Sequence, residues 1–127
     1  MSNIPDDLRY TREHEWIRLE DGVGVLGITD YAQGELGDII FVEMPDAGVR
    51  VASGDPFGTV EAVKRVEEFY SPVDCEVLEI NDGLEAEPEK VNQDPYGEGW
   101  LLKIRVDDPQ QLDELLDAAA YQKLIGE

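Results

Sequence analysis

The chain has 127 residues, enough for one compact domain, and 42% of them are hydrophobic, enough for a real core. Thirty Asp and Glu stand against ten Lys and Arg, a net charge of −20, and that field repels nucleic acid and anionic membrane surfaces. It suits a soluble monomer, and it also suits a high-salt solvent that screens self-repulsion. A single cysteine, Cys75, cannot form an internal disulfide, so nothing points to secretion. The N-terminal MSNIPDDLRY lacks a basic region followed by an apolar run, so a cytoplasmic location is expected, or an organellar matrix if a targeting segment was removed. No apolar run is long enough for a membrane span.

In chain order, LRYTREHEWIRLE (8–20) alternates around Tyr10, Trp16, Ile17 and Leu19 and predicts a strand pair or one long strand. Glu20-Asp21-Gly22 predicts a hairpin connection. Val23, Val25 and Ile28 form a second strand, with Gly24 and Gly27 marking bends or close backbone approach. Thr29 can cap a short helix that Gly34 and Gly37 limit. DIIFVEM (38–44) is a clear strand ending at Pro45, and turns follow around Val49 and Val51. TVEAV leads to Lys64, and an apolar and polar mixture runs on to Tyr70. After the turn Ser71-Pro72-Val73-Asp74, CEVLEIN (75–81) alternates as a strand covered on part of both faces. Residues 83–99 read largely as loop, and WLLKIRV (100–106) as a last strong strand.

The period then changes. Asp108 can cap, Pro109 suits the first helical position and Gln111 stands three residues after the cap. Leu112, Leu115, Leu116 and Ala119 recur at helical spacing, which predicts a helix with one apolar face packed on the sheets. Short strands, many glycine turns and a terminal helix exclude a doubly wound nucleotide fold, and GVGVLG (22–27) lacks the glycine order of a dinucleotide loop.

Few residues carry chemistry. One histidine, His14, and one cysteine do not assemble a zinc site, and the carboxylates follow no calcium-loop pattern, so no metal is expected. Cys75 opens an apolar strand and reads as inert packing. In Glu13-His14-Glu15-Trp16, His14 reads as a hydrogen-bonded strand residue, while Glu15 beside a tryptophan could meet a cation in a partly dry groove. No catalytic residue is assigned. Lys64, one of only four lysines, sits between Val60, Ala62, Val63 and Val66, Phe69, Tyr70, at what reads as a hairpin tip. It is either an ordinary turn lysine or the attachment point of an acyl group, which would form an amide and remove the charge. Glu61, Ala62, Val63 and Arg65 complete the tip that a modifying enzyme would recognise.

The chain resembles the H-protein family of the glycine cleavage system, a family of lipoyl carriers. The likeness is carried by HEW (14–16), GITDYAQGELGDIIFVEMPDAG (27–48), VEAVK (60–64), SPVDCEVLEIN (71–81), VNQDPYGEGWLLKI (91–104) and LDELLDAAAY (112–121). It implies an all-β-dominated fold, a lipoyl/biotinyl-like barrel-sandwich hybrid of two small antiparallel sheets with extra N-terminal strands and a C-terminal helix. It implies a single domain over 1–127, with a central lipoyl-like region at 22–104 and the helix at 109–125. It implies lipoic acid on Lys64 as N6-lipoyllysine, and a non-catalytic carrier. The implied partners are a pyridoxal-phosphate glycine decarboxylase (P protein), a tetrahydrofolate-dependent aminomethyltransferase (T protein), a dihydrolipoyl dehydrogenase (L protein) and the lipoate-attaching enzymes. A cleft for the aminomethyl-loaded arm maps to Glu15 and Glu68, with His14 beside them.

Three residues depart from the family pattern: Ala62 stands for a serine, Arg65 for a small residue and Cys75 for a turn glycine, whose turn should therefore be relaxed or shifted. A lipoyl donor or H-like carrier in a lipoate relay, and an unmodified protein-binding module, are the alternatives. A biotin carrier fits less well, because Val63 and Arg65 flank the lysine where methionines are usual.

Overall fold

The structure, a computed structural model, describes residues 2–127. Strands β1 (Arg9–Tyr10) and β2 (Glu15–Glu20) pair antiparallel, with Tyr10 opposite Trp16. Asp21 (φ 52°) and Gly22 (φ 83°) turn the chain into β3 (Val23–Ile28). Both lie in the left-handed region, as the connection anticipated from Asp-Gly requires. Trp16 explains Gly27 opposite it: a Cβ there would lie 2.7 Å from the indole, whose Nε1 donates to Pro95 O at 3.0 Å.

Thr29 caps α1 (Asp30–Leu36), its hydroxyl accepting from Ala32 N at 3.1 Å. β4 (Ile39–Glu43), β6 (Pro56–Ala62) and β7 (Val66–Tyr70) form a three-stranded antiparallel sheet in the order β4-β6-β7. β5 (Arg50–Val51), β8 (Cys75–Ile80) and β9 (Leu102–Val106) join the first strands in a six-stranded sheet, ordered β1-β2-β3-β9-β8-β5. Each strand pair is antiparallel. The two sheets enclose one core that includes Ile17, Leu26, Val42, Phe57, Val60, Phe69, Val77 and Ile104. Burying each such side chain contributes about 1.5–3 kcal/mol. A second cluster, with Tyr10, Trp16 and Tyr121 at its centre, seats the C-terminus on the N-terminal strands.

Three expectations need correction. The segment read as loop between the last two strands holds two helical turns, α2 (Gly83–Ala86) and α3 (Lys90–Gln93). Each buries one apolar residue, Leu84 or Val91, too sparse a signal to show as periodicity. The C-terminal helix expected over 109–125 is not continuous. A 3-10 helix, Pro109–Glu114, capped by Asp108, is followed by extended backbone at Leu115 and by α4 (Ala118–Leu124), capped by Asp117. Leu116 exchanges two backbone hydrogen bonds with Tyr10, at 2.8 and 2.9 Å, and that strand-like pairing overrides the helical spacing of the leucines. Gln111 does not close a capping box, because its amide bonds Asp74 at 2.8 and 3.1 Å. Cys75, for its part, needs no left-handed backbone: it opens β8 fully buried, opposite Val106.

Candidate functional site

Val63, Lys64 and Arg65 connect β6 to β7, and Ala62 N donates to Arg65 O at 2.8 Å across this hairpin tip. The buried side chains of Val60, Ala62 and Phe69 anchor its base. Val63 N donates to Asp38 O at 3.2 Å, tying the tip to the start of β4. Behind it, Asn92 accepts from Ile39 N at 2.9 Å and donates to Gly37 O at 2.8 Å and Gln33 Oε1 at 2.9 Å. The tip is therefore held through the start of β4. Lys64 projects from it exposed, with no ion-pair partner among the described residues.

Four large apolar side chains stand exposed around it: Ile40 (51%), Phe41 (44%), Val63 (68%) and Val66 (57%). The pairing Phe41–Glu61–Val66 runs across the sheet and puts these three residues on its outer face. Glu61 thus lies between two exposed apolar residues beside the lysine. A patch of this kind, in a chain whose surface is otherwise acidic, marks an interaction surface.

On the inner side of the same hairpin opens a cleft of about 280 Å³. His14, which lies in the turn between β1 and β2 and not in a strand as expected, and Glu15 of β2 border it on one side, Tyr31, Ala32, Glu35 and Leu36 from α1, and Arg65, Glu67, Glu68 and Phe69 from the hairpin. The structure therefore brings Glu15, His14 and Glu68 to one place, together with Arg65 from the tip. Both glutamates of β7 reach the cleft: Glu67 stands opposite buried Val60 and Glu68 opposite Thr59.

Glu15 forms the cleft's polar floor. It is only 3% exposed. Its Oε1 accepts from Thr11 Oγ1 at 2.5 Å and its Oε2 from Tyr70 N at 3.2 Å. Burial outweighs both bonds and pushes its pKa from 4.5 up to about 7. The group is thus poised to ionise when a cation arrives.

His14 adopts φ 71°, a conformation that costs a non-glycine residue roughly 1–3 kcal/mol. Its backbone is fixed by bonds to Thr11 O (3.2 Å) and from Thr29 N (3.0 Å). Its Nδ1 lies 2.9 Å from Tyr121 Oη, which lies 2.7 Å from Thr29 Oγ1. Burial lowers its pKa, which favours the neutral ring. Tyr121, stacked on Tyr10 with centroids 4.6 Å apart, carries this support from α4.

Thr11, Glu67, Tyr31, Glu35 and Tyr121 are site residues that the linear sequence did not single out. Only the alternation along β7 could have set Glu67 on the same face as buried Phe69. Tyr121 reaches the site through contacts distant in sequence, whereas Thr11 meets Glu15 across a tight turn of the chain. Cys75 takes no part: it is buried against Ser71 Oγ at 3.5 Å, and burial pushes its thiol pKa up. Among the described residues no group of His, Cys, Asp and Glu is arranged to hold a metal ion, and no helix is long and apolar enough to cross a membrane.

The model of the family described as "Glycine cleavage H-protein" matches residues 8–127. The glycine cleavage system H protein of Chlorobium limicola is 63% identical over 127 residues, covering 98% of this chain and 99% of its own length. That of Rubrobacter xylanophilus is 57% identical, covering 100% and 98%. The crystal structure of a glycine cleavage system H protein from Mycobacterium marinum superposes with a TM-score of 0.91 at 35% identity, covering 98% of this chain and 100% of that one. With its two antiparallel sheets, the chain belongs to the glycine cleavage H-protein family and is a non-catalytic shuttle of the glycine cleavage system.

Proposed function

We propose that Lys64 carries lipoic acid as an amide on Nζ and that the adjoining cleft shelters the aminomethyl group in transit. The observation that carries this reading is the placement of an exposed lysine on a short, pinned hairpin tip, directly beside a cleft with an acidic floor. The residues fit the group. Ile28, Leu36, Val60 and Phe69 offer apolar walls to a hydrocarbon arm, and Glu15 offers a carboxylate to an amine. When bound, lipoate supplies a dithiol–disulfide pair that takes up and gives up the one-carbon unit.

The protein's share of the work is physical. The walls exclude water from a hydrolysable amine. Glu15 accepts a charge-assisted hydrogen bond from its ammonium, and a cation beside it favours ionisation. Thr11 and Tyr70 N keep the carboxylate aimed. Since Glu15 titrates near 7, retention of a cationic cargo strengthens as pH rises through neutrality.

The partners in this reading are the P protein, the T protein, the L protein and the lipoate-attaching enzymes. Each has to cover Ile40, Phe41, Val63 and Val66 to take Lys64 into its own channel. Acidic neighbours such as Asp38, Glu43 and Glu61 suit a basic rim on the partner, which speeds encounter. Tethering keeps the arm's local concentration high once one is engaged. The test is reconstitution with the P, T and L proteins. Lys64→Arg should keep the fold and abolish transfer. A Lys64→Arg variant that still supports glycine cleavage defeats the reading.

A further inference from the structure

Charge in the cleft is unevenly divided. Its lining holds Glu13, Glu15, Glu35, Glu67 and Glu68 against one guanidinium, that of Arg65. Arg65 Nη1 lies 3.7 Å from Glu67 Oε1, and both side chains are a little over half exposed, at 55% and 56%. The hydrogen bond from Ala62 N holds the Arg65 backbone, one residue from Lys64. Arg65 stands opposite buried Ala62 and Glu67 opposite buried Val60, so the pair sits on the inner face of the hairpin, along the way from Lys64 to Phe69. A long, half-exposed cation is thus tethered at the mouth of an acidic cleft, beside Lys64.

Two cations in one small cleft repel, and a resident counter-ion lowers the attraction that its carboxylates exert on a second one. A guanidinium is charged at any relevant pH and is weakly hydrated, so it rests readily against a carboxylate.

We propose that Arg65 is a built-in competitor for the cleft: its guanidinium occupies the acidic mouth and has to withdraw into solvent before a small primary ammonium is held there. Arg65 is then a positioning residue that limits how tightly the carrier keeps a cationic cargo and eases its surrender to a partner. The inference rests on the carrier reading for its biological meaning, since the cargo is such an ammonium. The competition itself belongs to the unmodified protein.

The test uses unlipoylated full-length protein labelled with ¹⁵N. Methylammonium chloride is titrated in at constant ionic strength, with tetramethylammonium chloride, which has no N–H donor, as the control. The amides of Glu15 and Tyr70 report occupancy, because Tyr70 N donates to the Glu15 carboxylate. Arg65→Gln and Arg65→Ala should bind methylammonium roughly two- to fivefold more tightly than the parent, the range expected for loss of one exposed ion pair. Arg65→Lys should stay with the parent. Equal affinity in the parent and the neutral variants overturns the proposal, and so does the absence of any methylammonium-specific shift in all of them. Failure of the carrier reading would appear separately, as a protein from lipoylating cells with no adduct on Lys64.

Discussion

The hairpin tip and the cleft floor lie on two sides of one small sheet and treat a charged residue in opposite ways. At the tip, Lys64 is surrounded by solvent and exposed apolar side chains, and the structure fixes only its backbone. On the floor, Glu15 is buried and both of its oxygens accept hydrogen bonds, so the structure fixes the functional group itself. On the carrier reading proposed above, the difference follows from the tasks. An attachment point has to enter foreign active sites, so only its position needs to be stiff. A residue that holds a cargo at home has to be dry and aimed, and it bears the electrostatic cost of burial as a raised pKa.

The comparison breaks most sharply at Lys64. Replacement by arginine keeps the charge and the hairpin but removes the acceptor amine. Intact mass should show no adduct, transfer should vanish, and the melting temperature should stay within a degree or two of the parent's.

Glu15→Gln comes next. Loss of a charge-assisted bond to an ammonium should shorten retention of the aminomethyl group on the isolated protein roughly 10- to 100-fold. The same variant tests the burial argument. The folded protein keeps a proton on Glu15 that the unfolded chain has released between pH 4.5 and about 7. Its contribution to stability is therefore complete below pH 4.5, falls as pH rises through that window and is level above it. Melting curves across the window should show Glu15→Gln gaining on the parent as pH rises. A constant difference would show that burial does not perturb the group.

Tyr121→Phe sharpens the contrast from the support side. It removes the hydroxyl between His14 Nδ1 and Thr29 Oγ1. Denaturant unfolding should give a loss of about 1–2 kcal/mol, with lipoylation at the tip unaffected. The smallest effect should come from Ile40→Ser with Phe41→Ser, both exposed. Those changes should raise KM for the partner enzymes roughly fivefold while leaving kcat and stability near the parent values.

Much of the tip could be read from the sequence because its determinants are local. Apolar residues converging on Lys64 from both sides give the hairpin, and Asp21-Gly22 gives the other one by backbone preference alone. The floor is harder. Glu15 and His14 stand out beside Trp16, but Thr11 is an unremarked threonine until Glu15 folds against it, and Tyr70 takes part through its backbone N–H. On β7, the family resemblance points to Glu68, which lines the cleft, while the pairing of Glu67 with Val60 adds a second glutamate that the resemblance does not mark. The C-terminus shows the same limit from another side. Leu112, Leu115 and Leu116 carry a helical period, yet Leu116 is drawn into extended pairing with Tyr10, a contact that no local pattern contains.

The account stands on Lys64 as the one acylated amine. Peptide mass mapping of the protein purified from cells with active lipoylation, alongside its activity with the P, T and L proteins, tests that directly. One lipoyl adduct on Lys64, rising in step with transfer activity, is the expected result. Full activity with Lys64 unmodified, or with the adduct on Lys90, Lys103 or Lys123 instead, would contradict it.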